Sequence, residues 1–122
     1  MVRYSREGKR TMRKPRPQAP QELLAAIGAQ AVKVYKLRDE RDSLESETRR
    51  LELAVDQARA EADLAADPGM RMILYDKAEE LTRQAEWTRS ELGRVQKCLP
   101  EQEVILADLH ARARESLREG PG

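Results

Sequence analysis

Seven cations fall within fourteen residues near the N-terminus: Arg3, Arg6, Lys9, Arg10, Arg13, Lys14 and Arg16, with Tyr4 among them. Guanidinium and ammonium groups neutralise phosphates without reading base sequence. An aromatic ring can stack on a base. These eight residues are the candidate polyanion-binding set. Nucleic acid, an acidic partner, or the acidic remainder of a neighbouring copy would each satisfy it.

The other reactive side chains are sparse. His110 is the only histidine and Cys98 the only cysteine, twelve residues apart. A zinc site needs three or four ligands at short spacing, and this pair does not supply them. His110 reads as a surface residue, and Cys98, beside the helical seam described below, as a small apolar group. The many Asp and Glu recur at helix-surface spacing, which marks solvated faces rather than an acid–base pair. No glycine-rich phosphate cradle, nucleophile–base pairing or calcium loop occurs in the sequence. The sequence therefore predicts no enzyme, no catalytic residue, no cofactor and no metal.

The net charge of +1 conceals a separation. Residues 1–20 carry seven bases and one acid, a balance of +6, and the remainder carries −5. With Gly8, two prolines and three interspersed apolar residues, residues 1–19 cannot bury enough surface to offset chain entropy, so a disordered basic arm is expected there. A basic region ahead of heptads would suit one continuous helix in a DNA groove. Pro15, Pro17 and Pro20 forbid that helix. They equally spoil the amphipathic helix of an organellar transit peptide.

From Gln21 the pattern becomes helical. Positions 27, 30, 34, 37, 41, 44, 48, 51, 55, 58, 62 and 65 alternate steps of three and four over five heptads, with polar breaks at Gln30, Arg41 and Thr48. Flanking positions carry charge: Lys33, Arg38, Glu40, Glu45, Glu47, Glu52 and Arg59. A second seam runs through 74, 78, 81, 85, 88, 92, 95 and 99. It continues in phase through Pro100 to 102, 106, 109, 113 and 116, which favours a kinked helix over a broken one. Glu45 with Arg49, and Glu79 with Arg83, are spaced for ion pairs along the exposed faces.

The expected organisation is a basic flexible arm over 1–19 and a helical coiled-coil hairpin over 20–119. Within it lie a helix over 21–66, a turn over 67–69, and a helix over 70–118 kinked or broken near 99–100. Asp67 can cap the second helix with Pro68 at its first position. The fold class is all-α, a long antiparallel helical hairpin. Each helix would be about 70 Å long at 1.5 Å per residue. Folding at the turn would face Val55 with Leu81, Leu51 with Ala85, Thr48 with Thr88, Leu44 with Leu92, Leu37 with Leu99 and Ile27 with Leu109. Val34, Val95 and Leu106 complete the seam. Arg41 and Thr48 argue against a single long parallel dimer.

Alanine supplies sixteen of the apolar residues, and the chain has one Trp, three Tyr and no Phe. Such a hairpin buries little and is marginal by itself. Tyr35, Tyr75, Trp87 and Ile105 lie off the seam and are the candidate partner interface, Trp87 foremost.

The sequence thus predicts an interaction or scaffold protein. Its rod would self-associate, as a homo-oligomer, or dock on a protein, and its arm would tether it to nucleic acid or another polyanion. Two alternatives are a structural or adaptor subunit of a protein or ribonucleoprotein assembly, and a regulator or chaperone gripping one enzyme by the hairpin tip or apolar flank. A lone cysteine and the absence of any apolar run of about 18 residues predict an intracellular, most simply cytoplasmic, setting with no membrane span. Nucleus and organelle remain compatible.

Overall fold

A computed structural model describes residues 20–119 of the chain. These form two helices, α1 over Pro20–Leu64 and α2 over Pro68–Glu119, packed against each other as an antiparallel hairpin. Both helices begin at proline, whose fixed φ and missing N–H suit a first turn.

The turn is two residues earlier than the spacing suggested. It occupies residues 65–67, and α2 starts at Pro68 rather than 70. Side-chain capping explains the shift. The Ala65 amide donates to the Ala62 carbonyl at 3.2 Å, which tightens the last turn of α1. Arg71 Nη2 then donates to the Ala65 carbonyl at 2.7 Å and satisfies a carbonyl at the C-terminal end of α1. Asp67 Oδ2 accepts the Met70 amide at 2.9 Å, while its own carbonyl accepts the Arg71 amide at 2.9 Å. Asp67 is thus the N-cap of α2. A Cβ at Gly69 would lie 3.3 Å from that carboxylate oxygen, so glycine leaves the cap its room. Asp67→Ala should cost about 1 kcal/mol, measured as a lowered midpoint of chemical denaturation. An unchanged midpoint would show that water replaces the cap at no cost.

Every seam position from 27 to 65 and from 74 to 116 is buried or half-buried. Val34, Leu51, Val55, Val95 and Leu99 are buried, and Ile27, Leu37, Leu44, Leu81, Leu92, Leu106 and Leu109 are half-buried. Leu23, one step before the expected start, is buried too. The core is thin, and four of its apolar members are Ala58, Ala62, Ala78 and Ala85, all in the half nearer the turn. Small side chains on both helices allow the axes to approach closely there.

Residues that share grooves between the helices fix the register. Leu51 lies with Thr88, Val55 with Ala85, Ala58 with Leu81, and Leu23 with Ala113. This is within about one helical turn of the alignment read from the sequence. The two threonines do not need each other. Each buried hydroxyl donates to its own helix four residues back, Thr48 to Leu44 at 2.7 Å and Thr88 to Gln84 at 2.8 Å. α2 is unbroken through Pro100.

Candidate interaction surfaces

Polar groups beside the seam lock the two helices together at a few levels. Gln30 is buried on α1 and donates through Nε2 to Gln102 Oε1 at 2.8 Å and to the Gln102 carbonyl at 3.0 Å. One buried amide thus finds two acceptors on the facing helix, which satisfies it and penalises any slip of register. Arg38 donates to Glu103 Oε2 through Nη2 at 2.9 Å and Nε at 3.2 Å. Arg89 Nη2 reaches Glu52 Oε2 at 2.6 Å. Both ion pairs are half-exposed, so each is worth at most about 1 kcal/mol. Their value lies in orientation, because both join equivalent flanking positions across an antiparallel seam.

Ion pairs along single helices follow three-residue spacing more than the sequence suggested. Arg83 pairs with Glu80 at 2.7 Å rather than with Glu79, and Arg50 pairs with Glu47 at 2.5 Å. Residues three and four apart are both within reach on a helix. Gln84 also donates to Glu80, at 3.4 Å, and so helps to hold that carboxylate in place. Arg50 beside Glu47 holds its carboxyl below the usual range, and Arg83 with Gln84 does the same for Glu80. These two carboxylates therefore favour the folded state above their unfolded pKa, and the contribution fades as pH falls below about 4.5.

The hairpin end is tied by a bond between its helices: the Tyr75 hydroxyl of α2 donates to Asp63 Oδ1 of α1. The carboxylate holds the phenol protonated and its pKa above 10.0. This tie is complete below the ordinary tyrosine range and is lost as pH rises through the raised value.

The four side chains expected at a partner interface, Tyr35, Tyr75, Trp87 and Ile105, are all exposed. They do not form one patch. Tyr75 sits near the turn, Trp87 about 18 Å farther along α2, and Ile105 about 27 Å beyond that. Trp87 is 65% exposed and edges a groove between the helices with Leu44, Leu51, Glu80 and Gln84.

Four apolar residues at the tip escaped the sequence reading: Leu64, Met70, Met72 and Ile73, all exposed, with Leu64 at 86%. A signal for them existed. Residues 70–75 read Met-Arg-Met-Ile-Leu-Tyr, whereas a seam can bury only two residues in seven. The excess had to face outward, and only Leu74 of this run is half-buried. The eight residues of the polyanion set, Arg3 to Arg16 with Tyr4, lie outside the described residues.

His110 is exposed and Cys98 half-buried with a free thiol. Among the described residues, no group of three His, Cys, Asp or Glu could hold a metal ion. No described helix is long and apolar enough to cross a membrane. No family model, no curated protein and no solved structure matches this chain.

Proposed function

We propose that this protein is a non-enzymatic coiled-coil interaction protein. Its rod associates with a second copy or another protein, and its basic N-terminal residues tether the assembly to nucleic acid or another polyanion. One observation carries the reading. Among the described residues, thirteen large apolar side chains are exposed, while only six larger than alanine are buried. Isolated exposed apolar groups are ordinary, but a rod that leaves nearly as many of them exposed as it turns wholly or partly into its seam has surface to offer a partner. The charge separation in the sequence supports the tether, since the +6 balance of residues 1–20 is segregated from a rod at −5.

Binding of labelled duplex DNA and RNA, by the full chain and by residues 20–122, tests the tether. The full chain should bind. Its log K should fall with log salt at a slope approaching about −6 on duplex DNA if all seven cations engage phosphates. Residues 20–122 should show no binding at the same concentrations. Equal binding by both proteins would move the polyanion site to the rod. Binding by neither would remove nucleic acid from the proposal.

A further inference from the structure

The hairpin tip combines two properties that differ from the rest of the rod. Its surface is apolar at Leu64, Met70, Met72 and Ile73. It also holds most of the rod's excess acid. Residues 56–80 contain seven acids and three bases, a balance of −4 out of the −5 carried by residues 21–122. Among the described residues, no salt bridge engages Glu61, Asp63, Asp67 or Asp76. Arg71, the cation closest to the turn, is committed to the Ala65 carbonyl. An apolar surface fringed by carboxylates that no cation neutralises fits a ligand that is both basic and apolar.

The chain itself contains such a segment. Residues 1–19 interleave seven cations with Val2, Tyr4 and Met12. The question is whose arm can arrive. Arg3 stands 17 residues before Pro20 and reaches at most about 61 Å from it when fully extended, and Arg6, 14 residues before it, at most about 50 Å. Glu61 lies 41 residues into α1, about 62 Å from Pro20, and the apolar tip is farther still. Fully extended, a chain's own Arg3 only just comes level with Glu61, and its other six cations fall about 10 Å or more short, so its own arm cannot lay its cations across the apolar tip. A second rod lying antiparallel alongside brings its Pro20 level with that tip. Two rods in parallel would instead set two +6 arms side by side.

We infer that the tip is a docking surface for the basic arm of a second copy, in a closed antiparallel pair where each arm lies on its partner's tip. The inference rests on the self-association half of the reading above and not on the polyanion tether. Rods about 65 Å long, touching along a strip roughly 10 Å wide, would bury on the order of 1,200 to 1,300 Å2 in total, the low end for a stable interface. The arm–tip contacts therefore decide whether the pair persists. The exposed flank residue Trp87 is available to the strip between the rods. Side-by-side pairing closes at two copies, whereas end-to-end contact of tip and open end would grow without limit.

Charge reversal in the full chain tests this by sedimentation equilibrium at low salt. One variant reverses the arm, Arg3→Glu with Arg6→Glu, Arg10→Glu, Arg13→Glu and Lys14→Glu, which takes its balance from +6 to −4. The other reverses the tip at groups that neither cap a helix nor hold Tyr75: Glu61→Lys with Asp76→Lys and Glu79→Lys. The wild type should sediment at twice the 13.9 kDa chain mass. Each variant by itself should sediment as a single chain with its helical circular dichroism intact. An equimolar mixture of the two should recover the two-chain mass, because each mixed arm then meets a tip of opposite sign. A single-chain wild type, variants that remain paired, or a mixture that remains monomeric would each overturn the inference. Mass that climbs steadily with concentration would replace the closed pair with an end-to-end filament and overturn it as well. The tip-reversed variant keeps its arm, so its binding of duplex DNA tests the tether separately. That binding should be at least as tight as the wild type's.

Discussion

Leu51→Asp abolishes the stable hairpin at 25 °C, whereas Leu53→Asp, two residues away, leaves it unchanged. Leu51 is 2% exposed and sits in the seam, and Leu53 is 69% exposed on the outer face of the same helix. Removing the Leu51 side chain forfeits about 2 to 5 kcal/mol of burial and packing. An unpaired carboxylate at that position adds several kcal/mol of desolvation, or takes up a proton to avoid it. A domain of this size has about 5 to 15 kcal/mol in total, and a core this thin belongs near the lower bound. Leu53→Asp should stay within about 0.5 kcal/mol. Helical circular dichroism with urea titration measures both. Comparable losses from the two substitutions would mean that Leu53 is as buried as Leu51 in solution, inside an assembly of rods.

Pro100→Ala should stabilise the protein by about 1 to 3 kcal/mol, an unusual direction for a substitution inside a helix. Proline in a helix interior costs roughly 3 kcal/mol relative to alanine, because it lacks an N–H and its ring crowds the carbonyl four residues back. Here the residue supplying that carbonyl is Gln96. Pro100 and Gln96 are both exposed, while Leu99 between them is buried. The unpaired carbonyl can therefore turn to water, and the seam survives the lost bond. Alanine restores the bond without touching the core. The expected rise in Tm is about 4 to 8 °C for each kcal/mol in a domain of this size. A fall in Tm would show that the packing of α2 beyond residue 100 depends on the shape proline imposes.

Much of this architecture is legible from local rules. A period of three and four marks the face of a helix that turns away from water, and it needs no knowledge of the partner. Every position so marked is buried or half-buried, and only Leu23 was overlooked. The cap of α2 was legible for the same reason, since Asp67 and Pro68 act within their own turn. The end of α1 was less so. The carbonyl of Ala65, one residue past its end, is closed by Arg71, six residues on, and nothing in the composition of α1 announces a cap supplied by the next helix.

The interaction surfaces were harder to read. Exposure of Trp87 and Tyr35 followed from their place off the seam. The apolar tip did not, because the seam spacing marks only Leu74 in the run from Met70 to Tyr75 and says nothing of where its other apolar members gather. How much a helix buries depends on how many neighbours surround it, and here there is one.

The sequence by itself determined the two helices, their seams, their near-equal lengths and the short turn that makes them antiparallel. Each of these rests on interactions between residues at most a few positions apart. Tertiary structure decided which groups meet across the seam: Gln30 with Gln102, Arg38 with Glu103, Glu52 with Arg89, and Asp63 with Tyr75. It also decided that the threonine hydroxyls turn back to their own helices and that α2 passes through Pro100 unbroken. Those outcomes compare alternatives of similar local energy. Only the position of the facing helix, fixed by the whole length of the seam, separates them.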